Sequence, residues 1–275
     1  MDTTTETVQF RNYDIVNPIT IAVREHYRKM RERQTVEYVQ QMKKKYLTFD
    51  KPMHVWDAME KLNALIDVSD PDLTLPNVQH LIQAAEGARE AGEPDWMQLV
   101  ALIHDMGKVM YLWGADEDGT SQAEQWGLVG DVFVVGCKLP DTCVYPEFNA
   151  LNPDMNDPRY NTELGIYKAG CGLDNLELAW GHDEYLYQIL KHHPENKIPE
   201  QGMVAVRYHS FYPWHNGNSY AELECEKDKT YKAWVKSFNR FDLYTKRHES
   251  FELASVKDYY QPIIEKYLGS GPIFW

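Results

Sequence analysis

Cysteine is scarce and unpatterned in this chain. Cys137, Cys143, Cys171 and Cys225 are the only four in 275 residues, with no Cys-x-x-Cys pair and no zinc-ribbon spacing. With no signal-peptide pattern at the N-terminus, the expectation is reduced thiols in a soluble, cytoplasmic protein. No apolar run approaches the length of a membrane span, so no membrane partner is expected. Positive charge is also short: 28 Lys and Arg stand against 42 Asp and Glu, for a formal net charge of −14. That balance argues against nucleic acid as a partner. The Glu-x-x-His signature of ferritin-like di-iron bundles is missing, and so is His-Glu-x-x-His, which removes the common zinc-protease reading. Period-two alternation is confined to Asp131-Val132-Phe133-Val134-Val135, and there is neither an internal repeat nor a low-complexity tract. What remains is 43% hydrophobic and 13% aromatic. This predicts one mainly α domain over residues 10–275, preceded by a flexible polar tip at 1–9.

Helical periodicity runs through most of the chain. A strongly charged stretch from Ile21 to Tyr46 carries an apolar stripe of Val36, Val39, Met42 and Tyr46, with Arg24, Arg28, Arg31, Arg33 and Lys43 to Lys45 on a solvated face. A second helix bears Val55, Met59, Leu62 and Ile66 and ends in the turn-forming cluster Asp67-Val68-Ser69-Asp70-Pro71. Pro76-Asn77 opens a third. Further helices are expected over Asn175 to Trp180, Asp183 to Lys191, Gln201 to Phe211, Thr230 to Tyr244 and Val256 to Tyr267, with the aromatic tail Pro272-Ile273-Phe274-Trp275 packed on the body. The acidic stretch from Gly114 to Gly127 reads as a surface loop. The segment Lys138 to Asn161 reads as a long loop ordered by Tyr145, Phe148 and Tyr160.

The pentapeptide His104-Asp105-Met106-Gly107-Lys108 stands out. Asp95 and Gln98 read as a capping box opening its helix, Leu99, Val100, Leu102, Ile103 and Met106 as the apolar face, and Gly107 as the stop. Asp105 follows Leu102 by three and Ala101 by four, which aims its carboxylate at the core. A buried carboxylate is costly unless paired or bound to a metal. Asp242 poses the same problem, following Phe238 by four on a stripe with Trp234 and Phe241. His80, His182 and His209 each lie on or beside a separate apolar helical segment. Singly, each reads as a satisfied core histidine. Several histidines with two inward acids are hard to explain without metal, and this nitrogen and oxygen set suits iron or manganese.

The order His80, His104-Asp105, His182, His209, Asp242 resembles the HD-domain superfamily, helical metalloproteins that include many phosphohydrolases. Longer words narrow the resemblance: Phe10-Arg11-Asn12-Tyr13, Ser69-Asp70-Pro71-Asp72, the His-Asp-Met-Gly-Lys pentapeptide and Val129-Gly130-Asp131. To these are added Asp157-Pro158-Arg159-Tyr160, the stretch from Trp180 to Tyr187, the stretch from His209 to His215 and the stretch from Phe241 to Lys246. Together they resemble the inositol oxygenase family from about Arg11 to the C-terminus.

That resemblance implies a mixed-valent Fe(II)/Fe(III) pair that converts myo-inositol and O2 to D-glucuronate and water, the substrate supplying all four electrons. His80, His104, Asp105 and Asp242 would hold the iron that activates O2. Asp105 would bridge to a second iron, completed by His182 and His209, that binds the polyol. Lys108, with Asp105 the implied catalytic pair, would favour alkoxide formation. Arg11, Asp67, Val68, Ser69, Lys108, Gly130, Asp131, His209 and Ser210 would contact the substrate, and the family suggests a monomer. His215 and Arg159 are read as structural, and His26, His54, His192, His193 and His248 as ordinary. Two other readings stay open: an HD-type phosphohydrolase, and a metal-stabilised binding domain without turnover.

Overall fold

The computed structural model describes residue 13 and residues 17–71, 75–244 and 251–275. The expected flexible tip, Arg11 and His248 lie outside the described residues. Among those residues are ten α-helices: α1 (Pro18–Arg33), α2 (Val36–Tyr46), α3 (Val55–Leu62), α4 (Asn77–Glu90), α5 (Asp95–Ile103), α6 (His182–His192), α7 (Glu200–Tyr208), α8 (Tyr212–His215), α9 (Glu226–Tyr244) and α10 (Leu253–Leu268). One two-stranded antiparallel sheet pairs β1 (Pro52–Met53) with β2 (Ile273–Phe274). The protein is mainly α, as the periodicity predicts. Helices α4, α5, α6, α7 and α9 pack around the main core, and α10 closes over α4 and α5.

Several elements depart from expectation for identifiable reasons. The stretch from Ile21 to Tyr46 is two helices, because Thr35 takes an extended conformation and its hydroxyl caps the amide of Tyr38. Between them Gln34 is wholly buried. Its Nε2 donates to the Trp180 carbonyl (2.7 Å) and its Oε1 accepts from the Trp180 amide (2.9 Å). Arg31 is not solvated: it is 1% exposed, donates to the Val144 carbonyl and lies over the Phe133 ring. No capping box forms at α5. Pro94 is its N-cap, and Asp95 instead accepts from Lys266 and Tyr267 on α10. Leu176 to Trp180 is extended rather than helical, with Val134 bridging to Leu178. The alternating segment at 131–135 makes only that isolated bridge.

The two long loops are held down. Asn152 ties the Lys138 to Asn161 segment to the end of α1 by donating to the carbonyls of Arg31 and Gln34. In the acidic stretch, Thr120 is fully buried against Tyr46, and Gln125 exchanges hydrogen bonds with the segment at 66–68. The terminal Trp275 is fully buried, as expected of an apolar tail, while Phe274 stays exposed.

Candidate metal centre and substrate pocket

Four helix ends converge on one pocket. His80 sits in the first turn of α4, His104 and Asp105 follow the last turn of α5, His182 opens α6 and His209 closes α7. Asp242 comes from the C-terminal part of α9. Helix ends suit this task because their side chains project past the last hydrogen-bonded turn, leaving open space between the helices. Gly107 does not stop a helix, since a 3-10 helix runs from Met106 to Trp113. Its function is contact: a Cβ built there would lie 2.1 Å from the His182 carbonyl oxygen, so only glycine admits the α6 backbone at this distance.

The six donors fall into two sets. Around the first, His80 Nε2 lies 3.2 Å from His104 Nε2 and 2.9 Å from Asp242 Oδ1, and His104 Nε2 lies 3.5 Å from the same oxygen. Around the second, His182 Nε2 lies 3.3 Å from His209 Nε2 and 3.0 Å from Asp105 Oδ1, with His209 Nε2 at 3.5 Å from that oxygen. Asp105 Oδ1 is also 3.8 Å from His104 Nε2, so this carboxylate faces both sets. Donors about 2.1 Å from one ion and at right angles lie roughly 3 Å apart, which is the spacing found.

The tautomers also fit metal binding. Nδ1 of His104, His182 and His209 lies 2.9, 2.9 and 3.0 Å from the carbonyls of Ala101, Leu128 and Val206, respectively. Each carbonyl accepts the Nδ1 proton, which leaves Nε2 as a lone-pair donor facing its partners. Nε2 pairs at 3.2 and 3.3 Å, each facing a carboxylate oxygen at similar spacing, are the donor arrangement a metal ion takes, so the residues present fit metal ions.

Charge is strongly perturbed here. Burial opposes ionisation of Asp105, but the Lys108 ammonium and the His104 and His182 rings outweigh it and hold the carboxyl well below its usual range. Burial likewise works against Asp242, and the His104 and His80 hydrogen bonds override it, again downward. His209 is pushed the other way: burial would lower it, yet the Asp183, Asp105 and Asp242 carboxylates raise it to about 9. Lys108 is 3% exposed, and its Nζ donates at 2.6 Å to both Asp67 Oδ2 and Asp105 Oδ2. Burial would lower its pKa, and those two carboxylates raise it instead.

Asp67, Ser69, Lys108, Gly130, Asp131, His209 and Ser210 all line the pocket. Val68 does not: its side chain is exposed, and only its backbone is engaged, donating to Gln125. The turn at 67–69 is held by the Asp67 carboxylate, which accepts from the amide and hydroxyl of Ser69. A sequence model of the myo-inositol oxygenase family matches residues 20–275. The chain belongs to that family.

Curated relatives agree. The chain is 43% identical over 269 residues to the inositol oxygenase of Rattus norvegicus, covering 97% of this chain and 90% of that protein. It is 41% identical to that of Dictyostelium discoideum (96% and 89% covered) and 41% identical to a probable inositol oxygenase of Oryza sativa subsp. japonica (94% and 82% covered). Within this family member several residues near the pocket escape sequence reasoning. Asn77 is 3% exposed and donates through Nδ2 to Asp105 Oδ2 (2.9 Å). With Lys108 on the same oxygen, it leaves Oδ1 to face the imidazoles. Tyr27 donates to Asp131 Oδ1 at 3.1 Å. His26, read as ordinary, donates from Nε2 to the Val129 carbonyl (3.1 Å) and abuts Gly130, so it seats the pocket loop. Tyr212 lies 3.5 Å from Asp242 Oδ2. Tyr212 falls in the stretch from His209 to His215 that carries the family resemblance, whereas Asn77, Tyr27 and His26 sit on ordinary helical stretches and only their partners across the fold make them relevant. His215 Nε2 lies 3.0 Å from the His209 carbonyl, and Arg159 pairs with Asp157 at the surface. No helix among the described residues is long and apolar enough to cross a membrane.

Proposed function

We propose that this protein is a di-iron oxygenase that opens the ring of myo-inositol with O2 to give D-glucuronate and water, the substrate supplying all four electrons. The overall change is balanced: C6H12O6 and O2 become C6H10O7 and H2O, so no external reductant enters each turnover. The carrying observation is two clusters of N/O donors at metal-binding spacing, with the Asp105 carboxylate facing both, beside a pocket wall rich in hydroxyl-binding groups. His80, His104 and Asp242 would hold one iron and His182 and His209 the other, with Asp105 shared. Iron bound there supplies Lewis acidity toward a polyol oxygen and the redox capacity that dioxygen requires.

The protein's own groups set up that chemistry. The Lys108 ammonium, kept charged by two carboxylates, stabilises negative charge on a substrate oxygen as a hydroxyl loses its proton. Asp67, Ser69, Asp131 and Ser210 offer donors and acceptors matched to a ring bearing a hydroxyl on every carbon, and an analogue lacking one leaves a buried partner unpaired. Gly130, with φ of +112°, takes a backbone conformation side chains rarely adopt and packs the pocket loop against His26 and Met30 of α1. Arg11 would add a further contact. Residues 10–275 would act as one catalytic domain, in a cytoplasmic monomer whose partner is the free polyol.

The test is oxygen uptake by iron-loaded, reduced protein. Consumption that requires myo-inositol and yields one glucuronate per O2 supports the reading. Phosphate release from phosphoesters without oxygen uptake would replace it with a phosphohydrolase. An electron paramagnetic resonance signal from a coupled mixed-valent pair, altered by myo-inositol, would identify cofactor and substrate together.

A further inference from the structure

Asp183 directly follows the His182 ligand candidate and is 1% exposed, yet neither of its carboxylate oxygens has a hydrogen-bond partner. Its Oδ1 lies 3.0 Å from His209 Nδ1, but the Val206 carbonyl takes the proton on that nitrogen. Its Oδ2 lies 3.5 Å from His182 Nε2, the ring nitrogen on the side of the second donor set. A carboxylate so placed is strongly unfavourable in a protein interior unless positive charge or a donor reaches it. Among the described residues, ligand atoms of His182, Asp183 and His209 lie close enough together to surround one ion.

We propose that Asp183 is the electrostatic partner of the ion held by His182 and His209. Its Oδ1, 3.0 Å from His209 Nδ1, places negative charge behind the ring and so favours a cation on Nε2, and its Oδ2 accepts a hydrogen bond from a water or hydroxyl ligand at that ion. Oδ2 then gains its hydrogen-bond partner when the second site is filled. The inference rests on the two-ion reading above and adds a positioning residue to it.

The experiment is an anaerobic Fe(II) titration of metal-free protein, with calorimetric melting of the metal-free form, for wild type, Asp183→Asn and Asp183→Ser. The expected result is two Fe(II) bound by wild type. Both variants should keep one ion tightly and bind the second about 10- to 100-fold more weakly, the usual effect of losing an outer partner of a metal ligand. Unchanged affinity for the second Fe(II) in both folded variants would overturn the role of Asp183. Serine covers the case in which the asparagine variant does not fold, since it leaves room for water. A wild type that binds fewer than two ions would overturn the di-iron reading and this inference with it.

Discussion

Gly107→Ala is the sharpest perturbation available, because the added methyl group has nowhere to go. Gly107 does not have a positive φ, so alanine meets no backbone penalty there. The obstacle is steric: the new Cβ would stand 2.1 Å from the oxygen, 2.8 Å from the carbon and 3.0 Å from the Cα of His182, all backbone atoms. An ordinary contact needs roughly 3.2–3.4 Å, so α6 must retreat by about 1 Å. Overpacking of this kind costs about 1–3 kcal/mol. With an unfolding entropy of about 2.1 cal/mol/K per residue, a 275-residue chain loses roughly 2–5 °C in Tm. The functional effect should be larger, because His182 Nε2 now lies 3.0 Å from Asp105 Oδ1 and 3.3 Å from His209 Nε2. A displacement of about 1 Å removes one donor from the second set, and misplacement on that scale costs about 100-fold in rate. Calorimetry, Fe(II) stoichiometry and inositol-dependent oxygen uptake together test this. An alanine variant with wild-type Tm, two bound ions and unchanged turnover would refute the close-approach argument.

Three further outcomes follow from the pocket. Asp242→Asn should lose one iron and oxygen uptake together, read by iron analysis and an oxygen electrode; retention of both removes Asp242 from the ligand set. Lys108→Ala leaves Asp67 and Asp105 without their buried cation, which should destabilise the metal-free protein by about 3–5 kcal/mol. It should keep iron while losing substrate binding and turnover, and wild-type kinetics would make the lysine a bystander. Loading the metal-free protein at pH 7 should release a proton, since His209 is raised to about 9 and must give up its proton to become a ligand. Below that pKa affinity should climb with pH, by up to about tenfold per unit, and level off above it. In the metal-free fold the same raised pKa contributes stability that is present below about pH 6.5 and fades as pH rises through about 9. Metal uptake without proton release at pH 7, measured in weak buffer, would contradict this.

Much of the pocket is legible before any coordinates. The pair His104-Asp105 and the acid at Asp242 betray themselves because a charged side chain on an apolar stripe demands a partner, and periodicity alone exposes that conflict. Helix type is legible in the same way. Boundaries are less so: Thr35 splits a continuous-looking charged helix, and Leu176 to Trp180 is drawn out because its backbone bonds elsewhere, through Gln34 and Val134. Gly107 is misread from sequence for the same reason. A glycine after an apolar run looks like a terminator, whereas its use is a contact with a residue 75 positions away.

By itself, the sequence determined that the chain is mainly helical, that Asp105 and Asp242 face inward, and the family, since apolar period and residue order are local properties of the chain. Only the tertiary structure decided that Asp105 turns one oxygen to Lys108 and Asn77 and the other to the imidazoles. It alone decided that His26 and Tyr27 seat the pocket loop and that Asp183 is buried against His209. These are relations among groups far apart in sequence, and a side chain's partners, unlike its period, exist only once the helices have closed around it.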